Sequence, residues 1–340
     1  HEVTLIKTSH SMHDDNFTFL QENNGKMTLN EFGDIKTAYI HKMSRDVADI
    51  KDAEIVIIYI QTNFHEQLIE RIATYLQDGQ ILLINPGYLS TAYVLKHVRD
   101  RDIIIAEAES SFIDGRIMEP GLFRVGFRNV RNPIGIYPSA RKEEAIAKLD
   151  QLGERFVYLD SVVEAALHNP NLIVHTVGSV MSIPRIEKSK GEFCMYHEAY
   201  TRDNLATWRI LETLDTEKMN VLEKLGFERL SYVNACKYRN SLDDNMDAKE
   251  VFLDYAEMPT RAKGPTVVDS RYISEDVPQG LVMMEALGKA LGVETPIASG
   301  LIAIASAALG RDLRAEGRTP EGLGFENVEK ILKDCGRKAI

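Results

Sequence analysis

Apolar runs of strand length and helical periods alternate along the first third of the chain. Residues 3–6 read as a strand and residues 55–60 as another, after which Leu68, Ile69, Ile72, Ala73 and Leu76 fall on one face of a helix. The pattern continues with a strand at 81–85, a helix carrying Ala92, Leu95 and Val98, a strand at 103–107, and strand-like pieces around Val125 and at 134–137. Near-continuous apolar strands separated by amphipathic helices predict a parallel sheet covered on both faces. Residues 141–152 are helical in pattern with Gly153 as the C-cap, and one more strand follows at 156–159. From there helical periods dominate: Leu205, Trp208, Leu211 and Leu214 mark one long helix, 281–291 another, and Val328, Ile331 and Leu332 a last one. The most apolar window, 296–310, is too short to cross a bilayer and reads as a buried helix. The expected organisation is an α/β domain over 1–145 followed by a mainly helical domain over 146–340.

The length of 340 residues, 44% of them hydrophobic, is enough for two cores with a cleft between them. A net charge of −11 argues against nucleic acid as a partner. Cys194, Cys236 and Cys335 are odd in number and lack CxxC spacing, which speaks for neither a disulfide framework nor a metal site and fits a reducing cytoplasm. No signal peptide and no membrane association are expected. His10, His13, Asp14 and Asp15 read as a solvated loop. The helix at 281–291 and the small-residue segment after Pro296 offer surfaces suited to a homodimer.

In an open α/β sheet, ligands bind beyond the carboxyl ends of the strands. The residues that leave the strands here are Lys7-Thr8-Ser9, Gln61-Thr62-Asn63, Asn85-Pro86-Gly87 and Glu107. Each tripeptide alone is an ordinary polar turn, whereas together they outline a nucleotide cleft. No G-x-G-x-x-G follows any of the predicted strands, and residues 1–7 have the look of the second strand of a dinucleotide fold. The glycine loop is therefore expected in a strand-loop-helix unit of about 20 to 25 residues ahead of His1. That second strand normally ends in an acid that accepts from the ribose 2′-hydroxyl. Lys7, Thr8 and Ser9 offer a cation and two hydroxyls instead, which favours NADP(H) over NAD(H).

Two stretches of the helical half are more specific. The segment His168-Asn169-Pro170-Asn171-Leu172-Ile173-Val174-His175, together with Arg271-Tyr272-Ile273-Ser274-Glu275-Asp276-Val277-Pro278-Gln279-Gly280-Leu281, resembles the opine dehydrogenase family, also called octopine/nopaline dehydrogenases. Tyr196-x-Glu198-x-x-Thr201, Leu214-Asp215-x-Glu217, and Gly317-Arg318-Thr319-Pro320-Glu321 resemble the same family, as do Asn85-Pro86-Gly87 and Ala106-Glu107 in the first half. The resemblance implies a Rossmann-type parallel sheet lacking its first βα unit, followed by a helical domain of the 6-phosphogluconate-dehydrogenase C-terminal-like type. It also implies an oxidoreductase that uses NAD(P)H to condense a 2-oxo acid such as pyruvate with the amine of an amino acid. By motif position, His175 matches the catalytic acid/base, Asp276 its carboxylate partner and Arg271 the cation that holds the keto acid. Tyr196 and Thr201 are candidates for the amine side, and Lys7, Thr8, Ser9, Thr62, Asn85, Pro86, Gly87 and Glu107 for the cofactor. The turn Gln61-Thr62-Asn63-Phe64-His65 departs from the family pattern.

The chemistry suits these residue types. Imine formation moves protons near neutral pH, where histidine titrates, and a carboxylate on its far nitrogen fixes the tautomer. Arginine presents a planar fork matched to a carboxylate. On pattern alone each has a plainer reading: His175 as a core histidine, Asp276 as a helix cap and Arg271 as a surface arginine paired to Asp269 or Glu275. Two other functions keep much of the pattern, namely a hydroxyacid or polyol-phosphate dehydrogenase of related architecture and a non-catalytic NADP(H)-sensing module.

Overall fold

The computed structural model describes residues 1–10, 12–334 and 336; Cys335 lies outside them. In chain order the first half runs β1 (Thr4–Ile6), α1 (Asp14–Glu22), β2 (Lys26–Glu31), β3 (Asp34–Tyr39), β4 (Lys42–Ser44), β5 (Ile55–Ile58), α2 (His65–Ile72), β6 (Ile81–Ile84), α3 (Thr91–His97), β7 (Ile104–Ala108), β8 (Ile113–Glu119), β9 (Leu122–Arg128), β10 (Asn132–Tyr137), α4 (Lys142–Leu149) and β11 (Phe156–Tyr158). The central sheet has the order β11-β10-β7-β6-β5. Strands β5, β6 and β7 are parallel, as helical crossovers require. Strand β10 runs antiparallel to β7, because the β8–β9 hairpin rather than a helix returns the chain to the sheet. The α4 crossover then sets β11 parallel to β10.

Strands β6 and β7 are buried over their whole length, which is why they read as unbroken apolar runs. Ile81, Leu83, Ile104 and Ala106 face one way and pack with Ala145 and Leu149 of α4. Leu82, Ile84 and Ile105 face the other way, into the core that the sheet shares with the helical half.

Three parts of the first half differ from expectation. The strand at the start of the chain does not join the central sheet but pairs in parallel with β4 as a two-stranded ribbon. Residues 26–39 form a hairpin that, with β8 and β9, makes a four-stranded sheet of order β3-β2-β9-β8. Asp14 and Asp15 open α1 rather than lying in a loop, where two acids in the first turn suit the helix dipole.

The second half comprises α5 (Val162–Leu167), α6 (Asn171–Val180), α7 (Ile183–Ser189), α8 (Met195–Ala199), α9 (Leu205–Leu225), α10 (Tyr232–Asn240), α11 (Ala248–Glu257), α12 (Arg271–Ser274), α13 (Val282–Leu291), α14 (Pro296–Leu309), α15 (Pro320–Leu323) and α16 (Phe325–Asp334). A π-helical turn, Val277–Leu281, joins α12 to α13. Helix α6 is apolar nearly all round and buried from Leu172 to Val180, so it forms the axis of this half. Helix α14 is not wholly buried: Ala298, Leu301, Ile302 and Ala305 face inward, while Ile304 is 48% exposed. Among the described residues no helix is long and apolar enough to cross a membrane.

A buried ion pair ties the two halves together. Arg239 of α10 donates to Glu109, just past β7, with both residues almost inaccessible to solvent. Removing one partner of such a pair strands the other charge. Arg239→Met is expected to lower stability by about 3–5 kcal/mol, measured by urea unfolding, and the double change with Glu109→Leu to recover most of that loss. A single change costing under about 1 kcal/mol would show that water reaches the pair.

Candidate active site

His175 sits mid-way along α6 with 6% of its surface exposed. Its Nδ1 lies 2.8 Å from Asp276 Oδ2. Asp276 is the residue at the head of the π-helical turn, yet its side chain makes no capping bond there. Instead it is buried to 1% exposure and accepts from two donors, His175 on one oxygen and the Tyr88 hydroxyl, at 2.9 Å, on the other. The Tyr272 ring stacks on the imidazole at 3.9 Å between centroids, and Tyr196 meets it edge-on at 6.5 Å. The cap reading of Asp276 thus gives way to a hydrogen-bonded pair with His175 through Nδ1.

Arg271 precedes Tyr272 on α12. Its side chain is about half exposed, and Nε lies 3.5 Å from Glu275 Oε2. Glu275 accepts through Oε1 from the backbone N–H and the hydroxyl of Thr62, at 2.8 and 2.9 Å. Burial, then the neighbouring Asp276, raise its carboxyl above the ordinary range, against the pull of Arg271 and Thr62. Through Glu275 the turn after β5 is fastened to the helix that carries Arg271.

The loop after β6 is built around Glu107. Gly87 has no alternative here, since a Cβ would fall 2.0 Å from Glu107 Cγ. Glu107 is fully buried and accepts from Leu89 N–H, from Thr91 N–H at 3.0 Å and from the Thr91 hydroxyl at 2.8 Å. It therefore shapes the loop rather than opening onto the cleft. Asn85, at the end of β6, is buried with neither amide atom partnered within the protein. Thr62 is committed to Glu275, and Thr201 gives its carbonyl to the Trp208 indole and to Asn204 N–H.

At the carboxyl ends of β1 and β4, Lys7 Nζ donates to Ser9 Oγ at 2.7 Å and Ser9 O at 2.9 Å. Thr8, between them, is half-buried. Arg45, the residue after β4, donates to Ser9 O and to Asp14 Oδ1, both at 2.9 Å. The Arg45 guanidinium beside Asp14 holds its carboxyl below the ordinary carboxylate range.

Sequence reasoning passed over Tyr88, Tyr272, Arg45 and Arg318. Arg318 is fully buried and donates to Gly87 O at 2.7 Å, Tyr88 O, Ser90 Oγ at 2.9 Å, Thr62 O at 2.8 Å and Gln279 Oε1 at 2.7 Å. One guanidinium thus joins both loops to the π-helical turn. The signal for Arg45 and Tyr88 was their place directly after a strand and after Asn85-Pro86-Gly87. Arg318 and Tyr272 stand inside the quoted motifs, but nothing local gives them a role, because their partners lie far away in sequence.

The chain is similar to opine dehydrogenases in sequence and in fold. Residues 158–309 match the sequence model of the NAD/NADP octopine/nopaline dehydrogenase alpha-helical domain. An opine dehydrogenase of Arthrobacter sp. (strain 1C) is 25% identical over 298 residues, covering 86% of this chain and 81% of the relative. A vitopine synthase of Allorhizobium ampelinum is 23% identical over 343 residues, 97% of this chain and 91% of the relative. The fold is that of octopine dehydrogenase: the structure solved with NADH and agmatine superposes with a TM-score of 0.73 at 17% identity, over 99% of this chain and 92% of that one. Residues 158–309 thus match the octopine/nopaline dehydrogenase helical domain, and the chain as a whole is similar to opine dehydrogenases, which are NAD(P)-dependent oxidoreductases.

Proposed function

We propose that this protein reductively condenses a 2-oxo acid such as pyruvate with the amine of an amino acid, with His175 as acid/base. The observation that carries the reading is the 2.8 Å bond from His175 Nδ1 to the buried Asp276 carboxylate. Because Asp276 accepts the Nδ1 proton, the Nε2 lone pair is free to take a proton from the attacking amine. The imidazolium so formed is stabilised by Asp276 and hands that proton to the former carbonyl oxygen to give the carbinolamine hydroxyl, and a second amine proton carried the same way lets the hydroxyl leave as water. Arg271 supplies the planar fork for the keto-acid carboxylate, and Glu275 holds it from behind. Tyr272 covers one face of the imidazole and keeps water off it. Tyr196 borders the amine side.

The residues present fit a nicotinamide dinucleotide at two places. Asn85 offers a buried, unpartnered carboxamide beyond β6, and Lys7, Ser9 and Arg45 gather two cations and a hydroxyl beyond β1 and β4. The latter set suits a 2′-phosphate, whereas an NAD-specific site would place an acceptor carboxylate on the second strand. When bound, the cofactor supplies the hydride that reduces the imine carbon. Gly87 and Pro86 shape the loop on its sheet side, and Thr62 and Glu107 hold that wall in place. The proposal includes a cytoplasmic location, where the buried Cys194 and Cys236 stay as thiols.

NADPH oxidation by pyruvate is expected to require an added amino acid, and His175→Ala to lower kcat by about 10² to 10⁴ while leaving the circular dichroism spectrum unchanged. Equal rates with and without any amino acid, across a panel of amines, would move the assignment to a hydroxyacid dehydrogenase.

Arg45→Ala and Lys7→Ala are each expected to raise KM for NADPH by about tenfold and leave KM for NADH within about twofold, read from initial rates with both cofactors. An unchanged ratio would place the cofactor choice elsewhere.

A further inference from the structure

The Asp276 carboxylate has two oxygens and two donors, but only one donor belongs to the acid/base pair. The other is Tyr88, which reaches Asp276 from the opposite half of the molecule, from the loop that begins Asn85-Pro86-Gly87. The Tyr88 ring is fully buried between that loop and the π-helical turn, and its backbone is in the left-handed region, φ 51°, as is that of Leu89, φ 65°. Two consecutive side-chain-bearing residues in this region are costly and persist only where the surroundings over-determine them. Glu107 pins Leu89 N–H and Thr91 from beneath, and Arg318 takes the carbonyls of Gly87 and Tyr88. The loop is thus clamped on both sides in the one conformation that aims the Tyr88 hydroxyl at Asp276. On the facing turn, Gly280 makes room: a Cβ there would lie 3.0 Å from Tyr88 Cε1 and 3.3 Å from its hydroxyl.

We propose that Tyr88 is a positioning residue for the acid/base pair, holding the Asp276 carboxylate in register with His175 and making that register depend on the loop after β6. This rests on the reading of His175 above. The geometry supplies a reason for the device. A carboxylate bonded only to His175 keeps one oxygen uncompensated at 1% exposure, which disfavours the charge that fixes the imidazole tautomer. Tyr88 fills that vacancy with a neutral donor, and burial, followed by the charge of Asp276, pushes its hydroxyl well above the ordinary phenol range, so it stays protonated. The other groups facing this pair are Glu275 and Arg271 on α12, Tyr272 stacked on the imidazole and Tyr196 at its edge. None of these donates to the oxygen that Tyr88 occupies.

The consequence is directional. Without the Tyr88 bond the carboxylate concentrates its charge on the remaining donor, His175 Nδ1–H, and the side chain of Asp276 has one anchor fewer. The test uses the full-length enzyme and two variants, Tyr88→Phe and Gly280→Ala, the second of which keeps the tyrosine but displaces its ring. The His175 Nδ1–H resonance is followed by NMR of ¹⁵N-histidine-labelled protein, with His175→Gln to assign it, alongside steady-state kinetics.

In both variants the His175 Nδ1–H resonance is expected to move from its parental position, because the bond to Asp276 changes. Also in both, kcat is expected to fall by about tenfold while KM for pyruvate and NADPH stays within about twofold. Should Tyr88→Phe fail to fold, Gly280→Ala carries the test. An unmoved Nδ1–H resonance overturns the proposal whatever the activity, as does an unmoved kcat in an enzyme that turns over. A shifted Nδ1–H resonance in a protein that condenses no keto acid with any amine supports the link and rejects the function assigned to the pair.

Discussion

A carboxylate almost completely withdrawn from water must be compensated, and much of this structure is arranged around that requirement at Asp276. His175 and Tyr88 each donate to one of its oxygens, the first from the axis of the helical half and the second from a loop of the sheet. Because the two donors belong to different halves of the chain, satisfying Asp276 brings the halves together at the point where a substrate would sit. The same bond that removes an energetic cost selects the imidazole tautomer with Nε2 facing outward, so stability and chemistry are met by one contact.

The surrounding charges repeat that logic. Arg318, Glu107 and Glu275 are all buried, and each bonds backbone or hydroxyl groups of the loops after β5 and β6, Arg318 reaching Gln279 and Glu275 facing Arg271 besides. Buried charge pairs and networks contribute little net stability when compared with apolar packing, but they penalise any rearrangement heavily. The outcome is a rigid wall on the sheet side of the cleft. On the opposite side Arg271 is half exposed and held by a longer contact to Glu275, which suits the proposed role of holding a keto-acid carboxylate.

How much of this was legible in the sequence follows from how local each signal is. Strands β5 to β7 and helices α9 and α13 were readable because burial on both faces leaves unbroken apolar runs and amphipathic burial leaves a period. The β2–β3 hairpin was not: its turn places Phe32 and Gly33 at φ 55° and 94°, a geometry usually announced by Asn-Gly, and β3 is exposed along its length and so carries no alternation. The antiparallel β10 depends on an intervening hairpin that its own residues do not encode. In the site, His175, Asp276 and Arg271 stood out only through the family motif, since each has a plain reading on its own. Tyr88 and Arg318 act through contacts 188 and more residues away, beyond the reach of any window along the chain.

The central claim is that Asp276 makes His175 an acid/base rather than a core histidine, and Asp276→Asn tests it most directly. An amide keeps the shape but has one acceptor oxygen for two donors, so either His175 Nδ1 or Tyr88 meets an NH₂ group. The account predicts a fall in kcat of about 10² or more with NADPH binding and thermal stability close to the parent. An Asp276→Asn enzyme that condenses amine and keto acid at the parental rate would contradict it.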